Sequence, residues 1–290
     1  MASIPKTLAD LTYDVAVELR SVREGVVTSA ANDKIIDVTR RTETVDYWNK
    51  GPAWILKANS GSAPQGQFGT VSDFAGGTIT MDANFTATVP VGARYAVGRR
   101  RYPLDVIKMF LNAAYRDLGR VPNTDESVIT ATQSTQYTLP SAVAKDLREV
   151  YIQTVIGIDD DKGWVKIPYG AWRQEENILY ISQLPIDRIL KLVYVDETVD
   201  LMEYTDTLSP YVHPRRVVYK AVADCLSWRA ERLSPAQQNQ INQRINYFLD
   251  LDMQAKFEHH IVIPQKPNKL FVPSWRYDTE HDEFNAPYIP

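Results

Sequence analysis

The chain has 290 residues, 44% of them hydrophobic, and a formal net charge of −4. Its length exceeds what one core usually serves, so two or three subdomains are expected. The negative balance excludes a global attraction to nucleic acid, and a single cysteine, Cys225, excludes an internal disulfide or a cysteine-rich zinc site.

No apolar run approaches the roughly 20 residues that cross a bilayer, and the opening MASIPKTLADL has no signal-peptide core. A protein made and kept in solution, without membrane contact, is expected. Helical and β-rich stretches then alternate along the chain. Leu8, Leu11, Val15, Leu19 and Val22 recur at steps of three and four, which predicts a first helix over about residues 7–24. From about 26 to 97, turn signals such as Gly51-Pro52 and Gly76-Gly77 separate short alternating runs, which predicts a small barrel or sandwich of five or six strands. Pro103 suits a first helical position, and Ile107, Leu111, Ala114, Tyr115 and Leu118 continue that helix to Gly119.

A second β-rich stretch follows from about 127 to 198. Its Asp159-Asp160-Asp161-Lys162-Gly163 reads as a hairpin tip, because the alternating ligand spacing of a calcium loop is missing. Pro214 opens a helix with Val218, Ala221, Val222, Cys225 and Arg229 on one side. Ser234-Pro235 opens the next, with Gln237 at the capping-box position, and it runs to about 258 on Ile241, Ile245, Phe248 and Leu249. The short link makes the two an antiparallel pair. Residues 261–290 combine five prolines with Phe271, Trp275, Tyr277, Phe284 and Tyr288, a composition that excludes regular structure yet is too aromatic for a solvated tail. It reads as an extended arm that buries its rings on a partner.

The expected fold class is thus α+β: a helical bundle of about four helices carrying two β-rich insertions, with an extended C-terminal arm. Its parts are helices of the body at 1–25 and 101–120, β insertions at 26–100 and 121–205, the C-terminal helix pair at 206–260 and a docking arm at 261–290.

Catalytic motifs are missing: no glycine-rich phosphate loop, no G-x-S-x-G, no H-E-x-x-H. His213 precedes a helix-opening proline, His259 and His260 close a helix, and His281 lies in the arm, so structural roles cover all four histidines. Cys225 sits in an apolar stripe as a small core residue. The acid pairs Glu175-Glu176 and Asp282-Glu283 lie in turn- or proline-rich segments, and the basic runs at 99–101 and 215–216 read as solvated faces. Tyr47, Trp48, Trp54, Trp164, Tyr169 and Trp172 have the residue types that stack on sugars or bases, but in strands they usually fill β cores. No enzyme activity, cofactor or metal is expected.

Three stretches carry a resemblance. The first joins residues 46–51 (DYWNKG), 54–56 (WIL), 69–74 (GTVSDF), 78–81 (TITM) and 92–95 (GARY); the second is the helix at 103–118 followed by 137–140 (YTLP); the third is the C-terminal helix pair with its arm. In this order they resemble the neck proteins of tailed bacteriophages, the head-to-tail adaptors. The resemblance implies a structural virion protein, made in the host cytoplasm and placed in the neck. It implies a ring of own copies, commonly twelve, between the portal protein and the next neck or tail protein, with the genome passing through without sequence-specific binding. The five arm aromatics named above would then be the partner-docking residues. Two readings of other classes compete: a carbohydrate- or receptor-binding tail module that uses the tryptophans, and a phage-encoded glycan hydrolase with an acid pair.

Overall fold

The computed structural model describes residues 6–58, 64–126, 130–131, 134–153, 163–181, 184 and 188–266. Helix α1 (Leu8–Glu18) opens on a capping box, in which Asp10 N–H donates to the Thr7 hydroxyl and Thr7 N–H to the Asp10 carboxylate, both at 3.2 Å. It ends six residues before the expected boundary. Arg20 turns left-handed at φ 53°, and Val22–Val26 becomes strand β1. Val22 fits the helical step and equally the alternation of a strand, and pairing with a partner strand decides between them.

Five more strands complete a six-stranded antiparallel sheet: β2 (Lys34–Ile36), β3 (Pro52–Lys57), β4 (Phe68–Ala75), β5 (Thr78–Met81) and β6 (Arg94–Gly98), in the order β1-β6-β3-β4-β5-β2. The β4–β5 turn uses Gly76 and Gly77 at φ 56° and 82°, and a Cβ on Gly77 would lie 2.4 Å from the Asp37 carbonyl oxygen. The centre of the sheet is buried on both faces. Ala53, Ile55, Tyr95 and Val97 point into a core of strand residues with Trp48 and Phe74, whereas Trp54 and Ala96 point into a core built by helices.

Helix α2 (Leu104–Arg116) begins after Pro103, which is its N-cap and not its first residue; the chain leaves it through Gly119 at φ 69°. Eight further elements follow: β7 (Arg120–Asp125), β8 (Gln136–Thr138), α3 (Ser141–Lys145), β9 (Leu147–Gln153), β10 (Trp164–Lys166), β11 (Trp172–Glu175), β12 (Ile178–Ile181) and β13 (Leu190–Glu197). They form a four-stranded sheet, β10-β9-β13-β7, and a three-stranded one, β11-β12-β8, around Val143, Val150, Leu179 and Leu192. Of the expected hairpin tip at 159–163, all but Gly163 lies outside the described residues.

Helices α4 (Arg215–Ala230) and α5 (Pro235–Glu258) close the described fold. Ser234 is the N-cap of α5, but its hydroxyl meets the Gln237 side chain at 3.2 Å and caps no backbone N–H, so the expected capping box does not form. Leu11, Val15, Ile107, Leu111, Val218, Val222 and Phe248 bring α1, α2, α4 and α5 to one core.

The expected helical bundle with two β insertions is nevertheless overturned. The described residues hold 13 strands in three antiparallel sheets and only five helices, one of them the five-residue α3. The physical reason lies in β3 and β6: their alternate residues complete the helical core, so the six-stranded sheet is a layer of the architecture and not an appendage.

Candidate docking surfaces

The described residues contain no group of three or more His, Cys, Asp or Glu able to hold a metal ion, and no helix among them is long and apolar enough to cross a membrane. A buried hydrogen-bonded cluster of ionisable groups lies inside the six-stranded sheet. Tyr95 Oη donates to Asp37 Oδ2 at 2.7 Å, Arg40 Nε donates to Tyr95 Oη at 2.5 Å, and Arg40 Nη1 reaches Glu43 Oε1 at 3.0 Å. Trp48 Nε1 donates to the other Glu43 oxygen at 2.5 Å. Burial pushes the Tyr95 hydroxyl upward, and its bond to Asp37 adds to that. Burial also opposes the charge on Asp37, but hydrogen bonds from Thr39 and Tyr95 more than offset it and hold the carboxyl below its ordinary value. Asp37, Arg40 and Tyr95 are all buried, so this network ties the turn at 37–43 to β6 and offers no face to a substrate.

The tryptophans that the sugar-stacking reading needs are mostly enclosed. Trp54 and Trp172 are buried, Trp164 is half-buried, and Tyr169 packs at 6.0 Å on Trp172. Cys225 is buried in the helical core, and burial pushes its thiol up. Glu175 and Glu176 are exposed around the β11–β12 turn. Asp282-Glu283, His281 and the five docking aromatics Phe271, Trp275, Tyr277, Phe284 and Tyr288 lie outside the described residues.

The root of the arm is described, and it is fastened to its own chain. Arg216 Nη1 donates to the His259 carbonyl at 3.4 Å, and the His259 ring stacks on His213 with centroids 3.7 Å apart. Arg216 is half-buried there, so it is not the solvated residue its sequence context suggested. Farther on, Arg148 Nη1 donates to the Pro264 carbonyl at 3.2 Å, Tyr169 Oη to the Gln265 carbonyl at 3.5 Å, and Lys266 Nζ lies 3.7 Å from Asp146. Burial of Asp146 opposes its charge, but Arg148, Arg120 and Lys266 prevail and hold its carboxyl low. Sequence reasoning missed this anchor, since Asp146 and Arg148 meet the arm only through the fold.

Two surfaces are left open on the described residues. The first is the outer face of α5, where Leu249, Met253 and Phe257 recur every fourth residue; Met253 is 62% and Phe257 87% exposed. The exposed Val262 and Ile263 extend it toward the departing chain. The second is a cavity of about 540 Å³ lined by Val45, Asp46, Tyr47, Arg99, Arg100, Arg101 and Arg229. It forms where the segment after β6 meets the last turn of α4.

No family model matches the chain, and no curated protein matches it in sequence.

Proposed function

We propose that this protein is a structural subunit of a tailed-bacteriophage virion: a head-to-tail adaptor of the neck, whose copies close into a ring between the portal protein and the next neck or tail protein. The observation that carries the proposal is the open apolar stripe Leu249–Met253–Phe257 with Val262 and Ile263. An exposed apolar stripe on a long helix, continued by apolar residues of the chain that leaves it, marks a surface for another chain. The resemblance of the first β module, the α2 region and the C-terminal helix pair to phage neck proteins supports the same reading, and twelve copies is the ring size that it implies. Such a subunit is made in the host cytoplasm, ends in the virion, encircles the genome without reading its sequence and performs no catalysis.

In this role the arm beyond Lys266 docks on a neighbouring chain of the neck through Phe271, Trp275, Tyr277, Phe284 and Tyr288. A segment that becomes ordered on binding loses conformational entropy, so a few aromatic anchors supply most of the affinity, about 2 kcal/mol or more each. Residues 261–266 belong to the fold, because Ile261 packs on the helical core and Pro264 is held by Arg148. The informative truncation therefore falls after Lys266. It is expected to preserve melting behaviour and abolish incorporation into particles, and Trp275→Ala is expected to weaken incorporation. Wild-type incorporation of both variants would contradict the proposal.

A further inference from the structure

The cavity after β6 is a concentration of unpaired positive charge on a chain whose net charge is −4. Arg99, Arg100, Arg101 and Arg229 line it, and among the described residues no carboxylate lies in ion-pair contact with any of them and no acceptor takes a hydrogen bond from their guanidiniums. Two are held in place by aromatic faces: the guanidinium of Arg99 lies 5.4 Å from the Tyr47 ring centre, and that of Arg229 lies 5.7 Å from that of Tyr102. Stacking of this kind orients a guanidinium and leaves its N–H groups free. Burial and the like charge of Arg101 both work against the protonated form of Arg229, and Tyr102 opposes them only in part. One wall is apolar and aromatic, with Val45 59% exposed and Tyr47 partly so.

We infer that this cavity binds a carboxylate-rich peptide, and that the peptide is the segment 278–283 of a second copy of this chain. Guanidinium groups pair with carboxylates through two parallel hydrogen bonds, and the Tyr47 ring offers a contact for an aromatic neighbour of the acids. The sequence of this chain provides both features together: Asp278, Glu280, Asp282 and Glu283 fall within six residues, between Tyr277 and Phe284.

The 12 residue steps from Lys266 to Asp278 reach about 40 Å when extended, enough for the chain's own cavity or a neighbour's, and the neighbour is chosen because the ring proposed above needs a joint between copies. His259 stacks on His213 just before the first turn of α4, whereas Arg229 stands in its last turn, about 21 Å farther along the helix axis. An arm at one end of α4 and a receptor at the other are two different surfaces, and their mating from copy to copy is the heterologous contact that closes rings. The inference rests on the ring proposed above and gives it a specific joint.

The test uses full-length protein in which the chain's own acids are neutralised (Asp278→Asn, Glu280→Gln, Asp282→Asn, Glu283→Gln), titrated with a fluorescent peptide of residues 274–290 and read by anisotropy. Saturable, salt-sensitive binding is expected, weakened roughly tenfold or more by adding Arg100→Glu and Arg101→Glu and lost for a peptide with the four acids neutralised. Both arginines are exposed, so an unchanged melting temperature keeps the comparison valid. Equal binding by the charge-reversed protein overturns the inference. So does a DNA duplex that binds more tightly than the peptide and depends on the same arginines, since that would assign the cavity to phosphodiesters. Mixing an Arg101→Cys chain with an Asp282→Cys chain should give disulfide-linked dimers; a disulfide that forms only within one doubly substituted chain contradicts the assignment to a neighbour. If the peptide fails to bind while the protein still assembles in many copies on the portal, the joint is wrong and the ring stands. If the peptide binds and no such assembly forms, the ring is wrong and the joint stands.

Discussion

Trp54 of β3 donates its indole N–H to the Thr12 hydroxyl of α1 at 3.0 Å, in a site where both residues are buried. The hydroxyl in turn donates a hydrogen bond to the Ala9 carbonyl at 3.0 Å, and the Tyr13 ring meets the indole edge-on at 6.0 Å. This contact joins the six-stranded sheet to the helical core. Thr12→Val keeps the shape and leaves the indole N–H unpaired, so it is expected to cost about 1–3 kcal/mol in urea unfolding. Trp54→Phe removes the donor as well, and the double variant should be less destabilised than the sum of the two singles.

The Arg40–Tyr95–Asp37 network makes a second stability prediction. Tyr95→Phe strips a hydrogen bond from a buried carboxylate and a donor–acceptor link from a buried guanidinium, for an expected loss of about 1–3 kcal/mol at neutral pH. Because the Asp37 carboxyl is held below its ordinary value in the folded state, its contribution is fully present above about pH 4 and disappears as pH falls through the lower folded value. Asp146 follows the same sign. Acid titrations followed by circular dichroism should place part of the unfolding below pH 4 and show a shallower acid limb for Asp37→Asn.

At the arm root, His213 adds a pH dependence closer to neutrality. Burial, the His259 ring and Arg215 all lower the affinity of His213 for a proton. The unfolded chain therefore binds the proton more readily, so stability is fully present above about pH 6.5 and declines as pH falls below it. Melting temperatures measured from pH 7.5 down to 5 should fall, and His213→Phe, which keeps a ring against His259, should flatten that slope.

Cys225 gives a direct check on the helical core. The thiol is buried between apolar neighbours and its deprotonation is disfavoured, so thiol reagents should label the native protein far more slowly than the urea-unfolded one. Rapid native labelling would mean that α4 does not pack as described.

Much of this architecture was legible in the sequence wherever a local pattern decided the outcome. Pro103, Gly119 and Ser234-Pro235 mark helix limits to within about two residues, and the glycine pair at 76–77 marks a hairpin turn. What the pattern could not reveal was tertiary. Val22 satisfies two periods at once, and only its pairing with Gly98 makes it a strand residue. Trp54 and Ala96 look like ordinary alternation, yet they face helices, which is why a layered fold resembled a bundle with insertions. Arg99, Arg100 and Arg101 read as solvated, and the cavity exists only because Arg229 and Tyr47 are brought to them from distant positions.

Many copies of this chain are proposed to close on one portal, and native mass measurement of full-length protein bound to purified portal decides it. A single assembly with a ring of copies, twelve by the resemblance, is expected, whereas one or two copies per portal, or no binding, would refute the proposed ring.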